Sequence, residues 1–270
     1  MVVSKPEYAE ALWNNGYFGV GNLSSSGMNY DANSLIVNEE RLQRKISWNE
    51  EIKDDLKDED CTVKPDEEDR TLLVVNLDKE KYSAGPPVKL VPDPYYLKEK
   101  LILAKEEALF LSYALGCLIV SNSEGREMDI DMMWNTFMED DEKFFIRYVV
   151  YHHFRTKGWV VKPGTKFGTD WILYPVGPPF YHSQFLVVSR CSWADTMKCD
   201  VTQNEPLSWT DLSAFERLSN QVGKSVLLCE ILRPRELTSE KLMNISSIKE
   251  VKIVVTYLSR WVPEVQRDEA

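Results

Sequence analysis

The sequence has little of what zinc-binding, secreted and membrane proteins depend on. Its five cysteines are scattered, with no Cys-x-x-Cys pair, and its 270 residues include only three histidines. This pattern indicates neither a zinc site nor a disulfide framework, and it favours a reducing compartment. No basic-then-apolar run opens the chain, so we expect no signal peptide. The longest apolar stretches, such as residues 108–120, are too short for a membrane span, so we expect no membrane insertion.

The charge pattern gives conflicting indications about nucleic acid. A formal net charge of −11 argues against binding phosphates. The charges are unevenly distributed, however: residues 47–69 carry eleven acidic and three basic side chains, whereas residues 143–190 carry seven basic and one acidic. The basic segment could form a nucleic-acid surface or merely a solvated face, and the pattern alone leaves both interpretations open.

Hydrophobic periodicity predicts helices first and strands later. Helices are expected at the start of residues 6–23 and over residues 97–118, 128–137, 141–156 and 206–222, the last with Ser208 or Thr210 as its N-cap. Strands are expected over residues 159–162, 166–174, 184–190, 225–232 and 251–258. The predicted fold class is α+β, with a helical N-terminal region followed by a compact C-terminal α/β domain that has a mixed sheet flanked by helices.

Composition predicts four segments along the chain. Within the second of them, residues 71–77 form a possible short strand, and residues 82–94, with four prolines, an extended connector. The segments are a helix with a glycine-rich turn (1–30), an acidic, partly disordered linker (31–95), a helical domain (96–140) and the α/β domain (141–264).

A long motif in the α/β region carries a specific resemblance. It runs from Tyr151 to Tyr174 and continues as Gly177-Pro-Pro-Phe-Tyr-His-Ser183; shorter matches are Ser208-Trp209, Leu258-Ser-Arg-Trp261 and Asn15-Gly-Tyr-Phe-Gly-Val-Gly-Asn-Leu-Ser24. With these motifs the chain resembles the tRNA-splicing endonuclease family. The N-terminal motif looks like that of the catalytic subunit that cuts the 5′ splice site.

The resemblance implies an RNA-cutting enzyme, a tRNA-intron lyase, that works in a nuclear complex of four subunits. A second catalytic subunit and two non-catalytic subunits are the implied partners, and intron-containing pre-tRNA is the implied substrate. The implied products carry a 2′,3′-cyclic phosphate and a 5′-hydroxyl. The ribose 2′-hydroxyl of RNA is itself the nucleophile, so the enzyme need not supply one. A phenol, an imidazole and an ammonium can together cut RNA without a metal, so no metal and no cofactor are expected.

Three residues match the catalytic positions of the family. The resemblance implies that Tyr174 is the general base, His182 the general acid and Lys224 the cation that stabilises the charged transition state. A phenol with an ordinary pKa of about 10 is a weak base at neutral pH, so neighbouring cations would have to favour the phenolate. Taken singly, each residue is also typical of a bland setting: a packed strand tyrosine, a surface-turn histidine and a solvent-facing lysine.

A second group of residues is implied to contact RNA. In the family, an arginine and a second planar residue sandwich an adenine at the partner's active site, and Arg217 and Trp261 match that pattern. They could equally be an exposed helix arginine and a core tryptophan. Lys166 and Lys162 are candidates for phosphate contacts or for solvation of the strand pair.

Two alternatives to the catalytic subunit remain. A non-catalytic structural subunit of the same complex would have no need to keep all three of Tyr174, His182 and Lys224. A metal-dependent nuclease would pair Asp170 with a Glu-x-Lys sequence on the following strand. Residues 184–190 contain no acidic residue, which makes the metal-dependent interpretation weak.

Overall fold

The computed structural model describes residues 1–3, 5–22, 72–76, 88–92 and 100–259. The chain divides into two compact units. One unit contains residues 2–10 and 20–102, and the other contains Met1 and residues 11–19 and 103–270. Most of the segment predicted as a linker lies outside the described residues, as does Trp261.

The unit formed by residues 2–10 and 20–102 contains two small antiparallel pairings. Strand β1 (Val20–Gly21) pairs with β4 (Leu101–Ile102), and β2 (Leu72–Asn76) pairs with β3 (Val88–Pro92). The short strand predicted over residues 71–77 is therefore confirmed. The segment predicted as an extended connector contains a paired strand, which is consistent with the valines at its centre.

Helix α1 (Pro6–Asn14) confirms the first predicted helix, whereas the helix predicted over residues 97–118 is shorter. Strand β4 occupies the predicted start, and helix α2 covers only Lys105–Leu109 before it widens into a π-helix over Phe110–Ala114. Glu107 begins α2 by accepting the amide hydrogen of Ala104 at 3.0 Å. The apolar residues keep a helical spacing through both the α-helical and the π-helical segments. The spacing alone therefore could not show where one conformation ends and the other begins.

Two further helices contribute to the core of the unit that contains residues 103–270. They follow a short hairpin of β5 (Val120–Ser121) and β6 (Glu127–Met128). Helix α3 (Ile130–Asp140) is capped by the Asp129 carboxylate, and α4 spans Phe144–Thr156. Their fully buried aromatic side chains pack against each other, among them Trp134, Phe144, Phe145 and Tyr148.

A mixed sheet of five strands follows: β7 (Val160–Pro163), β8 (Trp171–Tyr174), β9 (Phe185–Trp193), β10 (Ser225–Arg233) and β11 (Lys252–Leu258). Their order in the sheet is β11–β10–β9–β8–β7. Strands β9 and β10 are parallel and the other neighbours are antiparallel. The predicted strand over residues 166–174 is shortened, because Thr165–Phe167 form a 3₁₀ turn and Gly168 adopts φ +63°.

The parallel pair needs a crossover connection, and helix α5 (Trp209–Gln221) lies within it. Ser208 caps α5 as predicted: its hydroxyl accepts the amide hydrogen of Asp211, whose carboxylate accepts the amide hydrogen of Ser208. Helix α6 (Ser239–Leu242) and a 3₁₀ helix (Ile245–Lys249) join β10 to β11.

The predicted α+β class with a mixed sheet and flanking helices is confirmed. Among the described residues, no helix is both long and apolar enough to cross a bilayer.

One buried ion pair fixes the far end of β10. The Arg233 guanidinium lies 3.0 Å from the Asp200 carboxylate, and both side chains are almost completely buried. Arg233 also donates to the carbonyl of Leu237, and Asp200 accepts from the amide and hydroxyl of Thr202. Every charged group in this cluster therefore has partners, which is the condition for burying it.

Neutralising this carboxylate should strongly destabilise the fold. Asp200→Asn leaves the Arg233 charge buried without its counter-ion, and the loss of unfolding free energy should be about 3–5 kcal/mol. Urea denaturation followed by circular dichroism measures it. Asp195→Asn is the matched control, because the Asp195–Arg235 pair is about half exposed and should leave the unfolding midpoint unchanged. Equal midpoints for the two variants would contradict this account.

Candidate active site

The site forms where three strands meet at one edge of the sheet. Leu173 of β8 and Ser225 of β10 both pair with Phe185 of β9. One residue further, the Gln184 amide donates to the Leu173 carbonyl at 2.9 Å, and its carbonyl accepts from the Ser225 amide at 3.0 Å. The end of β8 and the beginnings of β9 and β10 therefore lie side by side. This register brings the neighbourhoods of Tyr174, His182 and Lys224 together.

Tyr174 is the last residue of β8, and its ring packs half-buried against an apolar cluster. Ile172, Leu186 and Val226 are buried members of that cluster. Burial raises the pKa of the Tyr174 phenol, and a hydrogen bond with the Ser183 side chain acts in the opposite direction. Desolvation is the larger of the two influences, so the pKa of the Tyr174 phenol lies above its ordinary value.

His182 lies on an exposed turn between β8 and β9. The carbonyl of Gly177 accepts the amide hydrogens of Phe180 and Tyr181, both at 3.1 Å, which closes the turn. Pro178 and Pro179 restrict the backbone inside it. The imidazole itself is exposed, whereas the next residue, Ser183, is only 6% exposed. The histidine thus stands in solvent on a backbone that is fixed on its C-terminal side.

Lys224 is oriented by that same serine. Its ammonium donates to the Ser183 carbonyl at 2.9 Å and lies 5.8 Å from the centre of the Phe167 ring. Gly223, with φ +62°, allows the chain to turn from α5 into β10. Ser183 is therefore in contact with both Tyr174 and Lys224, a role that sequence reasoning missed; its position directly after His182 was the only available signal.

The structure describes Arg217 and Lys166, two of the residues predicted to contact RNA. Arg217 is exposed on α5, the helix that leads directly into Lys224, and Lys166 is exposed in the turn next to Phe167. The Phe167 ring lies 5.8 Å from the Lys224 ammonium, so Lys166 is next in sequence to a residue that contacts one of the three catalytic candidates. Arg217 lies in the last turns of α5, seven residues before Lys224, and Trp261 is outside the described residues.

Two of the basic residues in the 143–190 segment are structural, not surface, groups. Lys162 is 7% exposed, with its ammonium 3.3 Å from the Glu107 carboxylate and 2.7 Å from the Gly19 carbonyl. The phosphate-contact hypothesis for Lys162 is therefore wrong, because a buried, paired ammonium cannot reach solvent. Arg155 likewise donates to the Gly16 carbonyl at 2.8 Å. The basic surface is smaller than the sequence indicates.

Asp170 stands at the opposite end of β8 from Tyr174. Four residues of extended chain separate their α-carbons by roughly 13 Å. The Asp170 carboxylate accepts the Ser189 amide hydrogen at 2.7 Å and lines a cavity of about 310 Å³ together with Lys143, Arg147 and Arg190. Within the part of the chain that the structure describes, no group of three or more His, Cys, Asp or Glu side chains has the arrangement of a metal site.

Sequence comparison agrees with the motif. Residues 144–239 match the family described as tRNA intron endonuclease, catalytic C-terminal domain. These residues belong to the tRNA intron endonuclease family. The matched endonuclease domain runs from α4 to the first residue of α6, so it includes Tyr174, His182 and Lys224, and the resemblance inferred from the motifs is confirmed.

Curated relatives extend the likeness beyond the endonuclease domain. The chain is 38% identical to "tRNA-splicing endonuclease subunit Sen2" of Gallus gallus over 177 residues, covering 66% of this chain and 38% of the relative. It is 33% identical to subunit SEN2 of Saccharomyces cerevisiae over 63% of this chain and 43% of the relative. It is 26% identical to "Probable tRNA-splicing endonuclease subunit sen2" of Schizosaccharomyces pombe over 99% of this chain and 84% of the relative. The chain thus spans less than half the length of the first two.

The titration of Tyr174 should reflect the environment of the free endonuclease domain. Since burial raises its pKa, the phenol should ionise above its ordinary value of about 10. Ser183→Ala removes the hydrogen bond that lowers the pKa and should shift ionisation to still higher pH. The difference in phenolate absorbance between the unmodified chain and Tyr174→Phe isolates this group, with the exposed Tyr8→Phe as the matched control. Ionisation of Tyr174 below pH 10 would contradict this assignment.

Proposed function

We propose that this chain is the catalytic subunit of a tRNA-splicing endonuclease and that it cuts intron-containing pre-tRNA at the 5′ splice site. The observation that carries the proposal is the strand register that puts Tyr174, the His182 turn and Lys224 at one edge of the sheet. The likeness to Sen2 subunits of fungi and vertebrates supports the choice of substrate and of splice site.

The proposed reaction is an internal transesterification. The 2′-oxygen attacks the neighbouring phosphorus, the bond from phosphorus to the 5′-oxygen breaks, and the products are a 2′,3′-cyclic phosphate and a 5′-hydroxyl. Tyr174 takes the proton from the 2′-hydroxyl, and His182 gives one to the departing 5′-oxygen. Lys224 stabilises the additional negative charge on the phosphorane. A phenol with a raised pKa is rarely ionised at neutral pH but is a strong base once ionised.

This mechanism needs no metal, because RNA supplies the nucleophile and the three side chains supply base, acid and positive charge. The setting of Asp170 also favours it over a metal-dependent nuclease. Asp170 is hydrogen-bonded at the far end of β8, and the cavity that it lines contains three basic side chains as well as the acidic Glu205 and Asp211. No group of three or more His, Cys, Asp or Glu side chains among the described residues has the arrangement of a metal site. A carboxylate in that position is suited to fixing the strand and has no acidic neighbour on β9 to complete a metal pair.

The proposed assembly is a nuclear heterotetramer with a second catalytic subunit and two non-catalytic ones. Arg217 is proposed to act across a subunit boundary, stacking on a base at the second catalytic site with Trp261. Its exposure on α5, outside the hydrogen bonds that hold the Tyr174 site, supports that division of roles. A non-catalytic role for this chain is disfavoured, because a structural subunit gains nothing from a half-buried Lys224 aimed at the His182 turn.

The first test is His182→Ala in the assembled complex. Loss of the general acid should slow the cut at the 5′ splice site by about 10²–10⁴-fold. The cut at the 3′ splice site should continue, and it serves as the internal control for folding and assembly. Gel mapping of both cut sites, with chemical analysis of the new ends, provides the measurement.

Unchanged cutting at both sites would overturn the assignment, and loss of the 3′ cut alone would reassign the splice site. The same reaction run in excess EDTA on prefolded RNA separates the metal alternative. Cleavage that survives the chelator supports the side-chain mechanism, whereas complete loss favours the Asp170 alternative.

A second test concerns Arg217. Arg217→Ala removes the stacking cation and should weaken the cut made by the other catalytic subunit while leaving the 5′ cut intact. Loss of a base–side-chain stack typically costs about 1–3 kcal/mol, or roughly 5- to 150-fold in rate. Arg126→Ala is the matched control, because Arg126 is an exposed arginine on the β5–β6 hairpin. Damage confined to the 5′ cut would show that Arg217 acts in its own subunit.

A further inference from the structure

The N-terminal turn at residues 15–19 is folded against the endonuclease domain. Arg155 of α4 donates to the Gly16 carbonyl at 2.8 Å and lies over the Phe18 ring at 4.1 Å. At the other end of the turn, Gly19 donates its amide hydrogen to Glu107 at 3.0 Å, and its carbonyl accepts from Lys162 at 2.7 Å. Two cations and a carboxylate therefore fix the backbone on both sides of Tyr17.

Tyr17 itself has an unusual backbone conformation. Its φ of +55° lies in the left-handed region, where a side chain with a bulky ring is uncommon. Its amide donates to the Trp13 carbonyl at 2.8 Å, which ends α1 in a tight turn. From this position the ring reaches the turn that carries His182 while keeping contact with Trp13 of α1.

The ring of Tyr17 packs directly on that turn. A Cβ atom on Gly177 would overlap the Tyr17 ring, so only glycine permits this approach. The ring also meets Phe180 edge to face at 6.5 Å and Trp13 at 5.5 Å. The carbonyl of Gly177 accepts the hydrogen bonds that close the His182 turn, so Tyr17 contacts the turn at its first residue.

The His182 turn is therefore held at two points. Tyr17 contacts it at Gly177 and Phe180, before the histidine, and Lys224 binds the Ser183 carbonyl, after it. An exposed histidine gains little orientation from its own surroundings, so the position of its imidazole depends on how firmly these two points hold the backbone. A displacement of about 1 Å in a reacting group can slow a reaction by about 10²-fold.

We propose that Tyr17 is a positioning residue for His182, acting through the Gly177–Phe180 contact. This inference rests on the proposed function, in which His182 is the general acid. Tyr17 lies outside residues 144–239, so the family match does not include it. The ring acts by packing, and its hydroxyl is not required.

The test compares Tyr17→Asn and Tyr17→Phe in the assembled endonuclease. Asparagine tolerates positive φ, so Tyr17→Asn keeps the backbone turn and removes the ring. The 5′ cut should slow by about 10- to 100-fold in kcat with little change in KM, while Tyr17→Phe keeps the unmodified rate. Tyr8→Asn, the same substitution at an exposed tyrosine of α1, is the matched control.

A second substrate separates positioning of the acid from general damage. A pre-tRNA with sulfur in place of the bridging 5′-oxygen at the 5′ splice site has a leaving group that needs no protonation. Both His182→Ala and Tyr17→Asn should cut this substrate at close to the unmodified rate. In addition, Tyr17→Asn should cause no further loss on the ordinary substrate when His182 is already alanine, because the two changes impair one step.

A reciprocal variant reaches the same contact without changing Tyr17. Gly177→Ala should displace the ring and reproduce the acid-specific defect, and it should add nothing in the Tyr17→Asn background. This variant keeps the proposal testable if Tyr17→Asn unfolds. Three results would each overturn the proposal. The first is equal slowing of the oxygen and sulfur substrates, and the second is an unmodified rate for both Tyr17→Asn and Gly177→Ala. The third is a loss that adds to that of His182→Ala in the double variant. If His182→Ala leaves the 5′ cut unchanged, the proposed function fails first, and the role of Tyr17 fails with it.

Discussion

The pairing of β9 with β8 on one side and with β10 on the other is the constraint on which the rest of the site depends. It combines an antiparallel and a parallel neighbour, so the end of one strand meets the beginnings of two others. A one-residue slip in either pairing would send Tyr174 or Lys224 to the opposite face of the sheet. The apolar cluster around Ile172, Leu186 and Val226 fixes this register, because slippage would expose those side chains to water.

Buried ionic groups add contacts between segments that are far apart in sequence. Lys162 and Glu107 bind the two polar backbone groups of Gly19, and Arg233 with Asp200 secures the end of β10. Such clusters add little net stability relative to well-packed apolar groups, but they tolerate few alternative arrangements. Removing one partner of such a pair leaves the other charge buried and unpaired, which is strongly destabilising.

The sequence predicted the strands and helices of the α/β region well, because each had a clear hydrophobic period and a recognisable end, such as the Ser208 cap. It failed where continuous apolar periodicity spanned two conformations, as at residues 97–118, and where a glycine interrupted a strand, as at Gly168. Among the candidate site residues, motif positions led to Tyr174, His182 and Lys224, whose roles stay predictions. Ser183 and the burial of Lys162 could not be predicted, since both depend on contacts between residues far apart in sequence.

The contact between the 15–19 turn and Gly177 joins segments about 160 residues apart. The entropy cost of closing such a loop grows only with the logarithm of its length, and doubling the loop adds about 0.6 kcal/mol. A change in the number of residues between the two segments therefore carries only a small entropic penalty at this contact. The support that Tyr17 gives to the backbone before His182 depends little on how much chain separates them.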